Sequence, residues 1–237
     1  MKSMNEIISW SGYNWLTSER WGSIHPEKPY NWYDPSAIKI HNDQLCLNIH
    51  KNPRSFTINK KQINSPFGTG LVTCESDFGF GKFEIEAKLP KGKGLWPAFW
   101  MWAVDEWPPE IDIFEGYSGL KGNYYKHFIK PVNVKSCVHL RDEWNTRKIC
   151  AKAPCIIQFN KKPYKEFHIY SCVWTNDKLE FYIDNKRIRK IRDKKILGHI
   201  ARYKMKIIIN NHIDGKYISV WSIESPFVIN YFKYEPL

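Results

Sequence analysis

Alternation of apolar and polar residues at a period of two is the feature that most constrains what this chain can fold into. In residues 38–49 apolar side chains recur at every second position on both sides of the polar pair Asn42-Asp43, and the same alternation runs through residues 83–89. Phe181 and Ile183 alternate in the same way before Asp184-Asn185, and Ile188 and Ile191 follow that pair. Because strand side chains point alternately to opposite faces, these segments predict half-buried strands joined by tight polar turns.

Nothing in the sequence predicts a long helix or a boundary between domains. No segment holds a capped apolar period of 3.6 residues over several turns, and we find no internal repeat, linker or low-complexity stretch. The 237 residues are 43% hydrophobic and 16% aromatic, which is enough for a packed core and excludes a disordered chain. We therefore predict a single all-β domain over residues 1–237, with two packed antiparallel sheets.

The chain is strongly basic. Lys and Arg number 36 against 24 Asp and Glu, so the formal net charge is +12, and basic residues cluster at 60–61 and 186–195. The plain interpretation is a solvated surface. The functional alternative is attraction to a polyanion such as nucleic acid, an anionic lipid face or an acidic polysaccharide, and composition does not choose among these.

The sequence also bears on membranes and export. No run approaches the roughly 18 to 20 uninterrupted apolar residues of a membrane-spanning helix, so we expect no membrane partner. The N-terminal residues lack a continuous apolar segment and a small-residue cleavage site, so we expect no secretory signal in this sequence. These features leave the location of the protein open.

Six cysteines are dispersed along the chain, at positions 46, 74, 137, 150, 155 and 172. A chain of this length can fold without covalent cross-links, so we predict buried or incidental thiols rather than a disulfide framework. No His or Cys pair stands nearby at zinc-finger spacing, so we predict no structural zinc site.

Residues 91–115 carry the side chains most suited to chemistry. Three carboxylates, Glu110, Asp112 and Glu115, follow four tryptophans, which are Trp96, Trp100, Trp102 and Trp107. On a regular strand Glu110 and Asp112 share a face, whereas Glu115 points to the other face. A one-residue bulge near Ile113-Phe114 would return Glu115 to the first face.

With that bulge the two glutamates lie about four strand steps apart, roughly 13 Å between Cα atoms at about 3.3 Å per residue, and their side chains can converge. Two glutamates about 5 to 5.5 Å apart are what a retaining glycosidase uses, one as nucleophile and one as acid and then base. Three carboxylates this close should titrate as a coupled set that keeps at least one proton at neutral pH. The spacing alone also fits an edge strand with solvated acids, but the flanking apolar residues and indoles favour a sugar-binding cleft.

The strings KLPKGKGLWPAFWMWA and WPPEIDIFE resemble glycoside hydrolase family 16, the family of laminarinases, lichenases and agarases, in its longer E-x-D-x-x-E form. Other segments are similar to strands of the same family: TGLVTCESDFGFGKFEIEAKLP before the acids, and SCVHL, FHIYSCVWTNDKLEFYIDNKRI, IIINNHIDG and SPFVINYFKYE after them. The resemblance covers the chain from about residue 69 onward and is specific as a set.

This resemblance implies a β-jelly roll, a concanavalin-like sandwich of two curved antiparallel sheets with an open concave cleft, and hydrolysis of internal β-linkages with retention. It implies that Glu110 is the nucleophile, Asp112 its hydrogen-bonding helper and Glu115 the acid and base. The substrate-binding residues that it implies are Trp96, Trp100, Trp107, His139 and Asn210.

The resemblance and the strand pattern say less about neighbouring residues. Trp102 stays unassigned. Asn210 and Asn211 are adjacent on one strand, so only one of them can reach the cleft. His168 is interpreted as structural. The segment with Trp32, Tyr33 and Asp34 fits either a cleft wall or simple packing.

No cofactor is expected to be required, and no metal is expected at the site. Family members often hold calcium through an Asp of the last strand, where this chain has Asn230, and Asn is a weaker calcium ligand. A structural calcium ion is therefore left open. The expected partner is a polysaccharide met outside the cell, with no nucleic acid, and the expected state is a monomer.

The leading hypothesis is an endo-acting, retaining β-glycanase whose substrate is a β-1,3 or β-1,3/1,4-glucan. The alternatives are a hydrolase of an anionic galactan or bacterial surface polysaccharide, which the net charge of +12 supports mildly, and a non-catalytic polysaccharide-binding module on the same fold. Nucleic-acid binding ranks below these, because residues 186–195 resemble the outer strand of a hairpin.

Overall fold

A computed structural model describes residues 6–20, 22–25, 30–92, 94–116, 133–141, 148–150, 155–158, 163–213 and 225–237, with the backbone alone at 133, 148–150 and 155–158. Within these ranges the chain forms nineteen strands, one α-helix and one 3-10 turn at Pro35–Ala37. In chain order the elements are β1 (Ile7–Trp10), β2 (Tyr13–Leu16), β3 (Asn31–Tyr33), β4 (Ile38–His41), β5 (Gln44–Leu47), β6 (Ile49–Ile58), β7 (Lys61–Thr69), β8 (Leu71–Cys74), β9 (Gly81–Lys88), β10 (Leu95–Ala103), β11 (Glu110–Gly116), β12 (Asn133–Arg141), β13 (Lys148–Cys150), β14 (Cys155–Gln158), β15 (His168–Trp174), β16 (Leu179–Ile183), β17 (Lys186–Ile191), α1 (Lys194–Ile200), β18 (Met205–Ile213) and β19 (Phe227–Pro236).

Two large antiparallel sheets confirm the predicted all-β class. In the described part of the chain, nine strands form the first sheet in the order β1-β2-β8-β18-β10-β11-β12-β13, with β14 also paired to β12. Seven strands form the second sheet, in the order β17-β16-β15-β9-β19-β5-β4. A smaller sheet, β3-β7-β6, contains the long β6–β7 hairpin and a parallel pairing between β3 and β7.

The hydrophobic core lies between the two large sheets. From the nine-stranded sheet Phe99 and Phe114 turn inward, and Phe114 meets Tyr170 of the seven-stranded sheet with ring centroids 4.5 Å apart. Phe99 similarly meets Phe232, at 6.3 Å. Each buried ring of this size stabilises the fold by about 1.5–3 kcal/mol relative to an exposed one. Because these residues face the core, their neighbours along each strand face away from it.

The predicted turns are present. Asn42 and Asp43 both have positive φ, 48° and 62°, and so do Asp184 and Asn185, at 48° and 61°. Two consecutive left-handed residues are the signature of the type I′ turn, whose twist matches that of the strands it joins. The sequence prediction of hairpins at these two pairs is confirmed.

Helix α1 was not predicted, because its seven residues are too few to show an apolar period over several turns. The helix begins at an N-cap residue of a favoured type, Asp193. Its side chain accepts hydrogen bonds from the backbone N–H groups of Lys195 and Ile196, at 3.0 and 3.4 Å. Ile196 and Leu197 are buried in the core. The basic segment 186–195 is thus the edge strand β17 and the start of α1.

The prediction of unlinked cysteines is wrong for Cys137, the one disulfide-bonded cysteine among those whose side chains are described. Cys46, Cys74 and Cys172 are free thiols, as predicted, and the last two are buried. Cys137 is disulfide-bonded. The side chains of Cys150 and Cys155 lie outside the described residues. Dispersed spacing in sequence carries no information about which cysteines a sheet brings together, so this cross-link could not be inferred.

Membrane insertion through a helix finds no support in the described ranges, where no helix is both long and apolar enough to cross a bilayer.

Glu180 on β16 is a buried acid held by cations on the seven-stranded sheet. Its carboxylate lies 2.8 Å from Lys190 Nζ, 3.1 Å from Lys178 Nζ and 3.1 Å from Arg187 Nη1, while its side chain is 3% exposed. Burial alone would raise the pKa of Glu180, but the bonds from Lys190, Lys178 and Tyr182 outweigh it and lower the pKa to about 2.

Glu180→Gln should therefore lower the free energy of unfolding by about 1–3 kcal/mol near pH 6, because the cations lose their anion. Since the folded pKa lies below the unfolded one, the Glu180 contribution is complete above about pH 4.5 and is lost as the pH falls toward about 2. Urea unfolding of wild type and variant at pH 6 and pH 3 measures this. A difference that does not shrink at pH 3 would contradict the argument.

Candidate active site

The predicted bulge exists, and it returns Glu115 to the face of Glu110 and Asp112. Between β11 and β12, Asp112 pairs with Cys137 and Glu115 pairs with Lys135, so three steps on β11 match two on β12. On the other side, β10 shows the same shift: Phe99 pairs with Phe114 and the next residue, Trp100, pairs with Asp112. The extra residue is Ile113.

The bulge has a packing cause. Ile111, Ile113 and Phe114 are 0%, 3% and 1% exposed and all belong to the core between the sheets. A regular strand could not turn both Ile113 and Phe114 inward, because neighbouring side chains alternate. With one extra residue both are buried, and the three acids stand together on the opposite face, which we call the site face.

Asp112 is the centre of the acid cluster. Its side chain is almost fully buried, and side-chain hydrogen bonds join it to both Glu110 and Glu115. His139 of β12 lies on the same face, with Nε2 2.9 Å from Asp112 Oδ2 and 3.8 Å from Glu110 Oε1. Burial and the charge of Glu115 raise the pKa of Asp112 well above its usual value.

Glu110 is held by an indole. Trp107 Nε1 donates a hydrogen bond to Glu110 Oε2, and Arg141 Nη2 donates to the Trp107 backbone oxygen at 2.9 Å, which fixes the Trp107 loop against β12. Burial, followed by the charge of Asp112, raises the pKa of Glu110 well above its usual value.

Glu115 has the opposite electrostatic setting. One carboxylate oxygen accepts a hydrogen bond from Trp96 Nε1 at 3.0 Å, and the other lies 2.9 Å from Lys135 Nζ. Burial alone would raise the pKa of Glu115, but the Lys135 ammonium outweighs it and lowers that pKa. The coupled set therefore favours a proton on Asp112 and Glu110 and a charge on Glu115.

The tryptophans are tied to the strands by a shared amide. Trp100 Nε1 donates to Asn210 Oδ1 at 2.7 Å, and Asn210 Nδ2 donates to the Trp96 backbone oxygen at 3.1 Å. Both indoles are half-buried on the site face. Trp102, left open by the sequence, stands on this face too; it is 2% exposed beneath the Arg20 guanidinium, which lies 4.1 Å above its ring.

All eight predicted site residues are therefore brought together on one face, although nothing in the geometry tests the role of each. They are Glu110, Asp112, Glu115, Trp96, Trp100, Trp107, His139 and Asn210. Asn211 faces the other way and donates to the Leu47 backbone oxygen at 3.0 Å, as its adjacency to Asn210 predicts. His168 is 3% exposed on the seven-stranded sheet and contacts Asp184 at 2.7 Å, which confirms its structural interpretation.

The aromatic segment before residue 35 divides between the two interpretations. Tyr33 is buried against Trp102 and stacks on His212 with ring centroids 5.2 Å apart, so it supports the site face. Trp32 belongs to the small sheet, where Arg54 covers its ring at 4.8 Å. Asp34 is buried and accepts hydrogen bonds from Ser36, His50 and Asn52, which is packing rather than a cleft wall.

Sequence reasoning missed Lys135, Glu19 and Arg20. Lys135 could have been found, since it stands an even number of residues before His139 on one strand and therefore shares its face. Glu19 could not have been found, because it lies in the segment after β2, far in sequence from the three acids, and no strand pattern links it to them. It is 4% exposed, and burial together with the charge of Glu110 raises its pKa to about 8.

Within the described residues, two groups of side chains bear on metal binding. Asp112, Cys137 and His139 present atoms within 4.8 Å of one another, but Cys137 is disulfide-bonded and supplies no thiolate. At the last strand, Asn230 donates to Glu86 at 2.6 Å and its amide oxygen accepts from Gln44 at 2.8 Å. Both ends of the Asn230 amide are therefore engaged in side-chain hydrogen bonds.

Comparison with known proteins agrees with this geometry. The model of the family described as "Glycosyl hydrolases family 16" matches residues 27–228. The chain belongs to glycosyl hydrolase family 16. Among solved structures it is similar to LamAcat from Zobellia galactanivorans, with a TM-score of 0.71 and 17% identity over 97% of this chain and 89% of that one. The predicted β-jelly roll is therefore confirmed.

Relatives in this family share limited sequence with the chain. It is 26% identical to the endo-1,3-1,4-beta-glycanase EglC of Rhizobium meliloti over 191 residues. The matched region covers 76% of this chain and 38% of the relative. It is 31% identical over 141 residues to the beta-1,3-glucan-binding protein of Penaeus monodon, covering 52% of this chain and 35% of the relative. The chain thus spans about two fifths of the length of these relatives.

Asp112→Asn should lower the pKa of Glu110. The Asp112 charge and its hydrogen bond both raise that pKa beyond the effect of burial, and the amide removes the charge. Carbon-13 NMR titration of labelled glutamate carboxyl groups measures the shift, with the exposed Asp105→Asn as control. An unchanged Glu110 titration in Asp112→Asn would mean that the two groups are not coupled.

Proposed function

We propose that this chain is an endo-acting, retaining β-glycanase that cleaves internal β-1,3 or β-1,3/1,4-glucosidic linkages. The observation that carries the proposal is the bulge at Ile113, which gathers Glu110, Asp112 and Glu115 on one face. Paired glutamates of this kind serve double displacement, and the half-buried indoles of Trp96 and Trp100 suit the faces of sugar rings. Family membership and the endo-glycanase relatives support the same reaction class.

In the proposed mechanism, a Glu110 oxygen attacks the anomeric carbon while Glu115 gives its proton to the departing glycosidic oxygen. A glycosyl ester on Glu110 results. Glu115, now a carboxylate, takes a proton from water, and that water oxygen displaces Glu110 from the anomeric carbon, so the configuration is retained. Trp107 orients one Glu110 oxygen, and Asp112 links the two glutamates by hydrogen bonds.

The reacting form and the resting form differ by the position of a proton. The mechanism needs an ionised Glu110 and a protonated Glu115, whereas the resting site favours the proton on Glu110 and Asp112 and the charge on Glu115. His139 contacts Asp112 and lies near Glu110, so it can stabilise the negative charge there once the proton moves to Glu115.

Glu110→Gln and Glu115→Gln should each reduce turnover by at least about a thousandfold while leaving the fold intact, because each removes a reacting group. Reducing-end release from a panel of soluble β-1,3- and β-1,3/1,4-glucans measures this, and proton NMR of the first products reports whether the β-configuration is kept. The exposed Glu75→Gln is the matched control. Near-normal activity of either site variant would overturn the assignment.

The two glutamates are distinguished by rescue with azide. In Glu110→Ala, azide should enter in place of the nucleophile and give an α-glycosyl azide from a substrate with a good leaving group. In Glu115→Ala it should attack the glycosyl ester and give the β-glycosyl azide. Thin-layer chromatography and NMR identify the products, and exchanged anomers would reverse the two roles.

A non-catalytic glucan-binding module is the second candidate, favoured by the relative from Penaeus monodon whose name describes glucan binding. It predicts that wild type and Glu110→Gln are both retarded in gels containing a β-glucan, with no reducing ends released by either. Release by wild type alone excludes it.

A further inference from the structure

Lys135 is a cation placed inside the acid cluster. It pairs directly across the strands with Glu115, its Nζ lies 2.9 Å from Glu115 Oε2, and its side chain is 22% exposed. Within the described residues Glu115 is the carboxylate with which it forms an ion pair. The same face of β12 also presents His139 and Arg141, so the strand beside the catalytic one is basic along its length.

This ion pair opposes the chemistry proposed for Glu115. An ammonium at contact distance stabilises the carboxylate over the carboxylic acid, and the second oxygen faces an indole N–H, which can only donate. A general acid must hold a proton when the substrate is bound. Lys135 therefore has to leave Glu115, or be neutralised by another anion, before the first step.

A neutral sugar hydroxyl is a poor competitor for this ammonium, because it carries no net charge and lacks the Coulomb attraction that the Glu115 carboxylate offers. A carboxylate or sulfate carried by the substrate can compete. The Lys135 side chain is a flexible stem of four carbons and is partly exposed. Rotation about its bonds can bring Nζ to a ligand on the site face.

We propose that Lys135 binds an acidic substituent, a carboxylate or a sulfate, on the sugar at the leaving-group side of the cleft, and that this makes the enzyme selective for anionic β-glycans. The inference rests on the proposed function, because Glu115 defines the leaving-group side as the acid. When the substrate anion takes Lys135, the proton on Asp112 passes to Glu115 and the proton on Glu110 passes to Asp112, along the hydrogen bonds that join the three acids. Glu110 becomes the carboxylate, with His139 Nε2 3.8 Å from its Oε1, and Glu115 becomes the acid.

The surrounding groups are consistent with this transfer. Asp112 faces Glu115 from the same strand, Lys135 and His139 face it from β12, and Trp96 faces it from β10. Lys135 is the cation closest to Glu115 among them, and its charge is what lowers the pKa of Glu115 against the effect of burial. Moving that charge onto a substrate anion removes the main obstacle to protonation.

The test compares one β-1,3-glucan with its carboxymethylated and its sulfated derivatives, using wild type, Lys135→Gln and Lys135→Arg. Wild type should show kcat/KM about tenfold higher on an acidic derivative than on the neutral glucan, and added salt should weaken that preference. The two derivatives distinguish a carboxylate from a sulfate as the preferred group.

The decisive result is a crossover. Lys135→Gln should lower kcat/KM on the acidic glucan about tenfold, because the anion loses its partner, and should raise kcat/KM on the neutral glucan, because Glu115 gains its proton more readily. Lys135→Arg should keep the acidic preference. The matched control is Lys190→Gln, which removes another cross-strand Lys–Glu pair, 2.8 Å long with the lysine 24% exposed, from the opposite sheet.

Three outcomes overturn the inference: equal wild-type rates on neutral and acidic glucans, equal losses on both in Lys135→Gln, or an effect no larger than that of Lys190→Gln. Retardation of Glu110→Gln and of the Glu110→Gln, Lys135→Gln double variant in gels with each glucan tests anion recognition without turnover. If wild type cleaves none of the glucans, the proposed function fails, and this binding comparison still supports or overturns the role of Lys135.

Discussion

The burial of two consecutive apolar residues, Ile113 and Phe114, is the constraint on which the rest of the site depends. A regular strand would bury one and expose the other, so the core gains both side chains when β11 accepts one extra residue. The same step turns Glu115 to the face of Glu110 and Asp112. The acids are therefore brought together by hydrophobic packing on the opposite face of the sheet, which outweighs the repulsion among their like charges.

Once gathered, the acids are stabilised unequally by their neighbours. Asp112 and Glu110 are buried next to other carboxylates, which favours their protonated forms. Glu115 contacts the Lys135 ammonium, which favours its ionised form. One cluster therefore contains both protonated and ionised carboxyl groups, and the proposed mechanism requires only that protons move along the hydrogen bonds that already join them.

Much of this arrangement was predictable from the chain. Strand alternation and the polar pairs at 42–43 and 184–185 predicted the hairpins, and the spacing from Glu110 to Glu115 predicted the bulge, because period and turn chemistry are local properties. Glu19 and Arg20 and the disulfide at Cys137 were not predictable, since each depends on which distant strands a sheet makes neighbours. Helix α1 was not predicted, because two helical turns are too short to show an apolar period. Its N-cap residue, Asp193, is of a type that commonly begins helices.

The amide of Asn210 ties the ring of Trp100 to the backbone of Trp96 through one side chain that comes from a third position, on β18. The Trp96 ring is held separately, by the hydrogen bond from its Nε1 to Glu115, so each of the two indoles is fixed by one bond to a neighbouring strand. A polymer whose successive rings repeat at another distance, or turn at another angle, would match one surface and miss the other. In the proposed function, linkage geometry is thus discriminated by the fixed positions of two indole rings beside the acids.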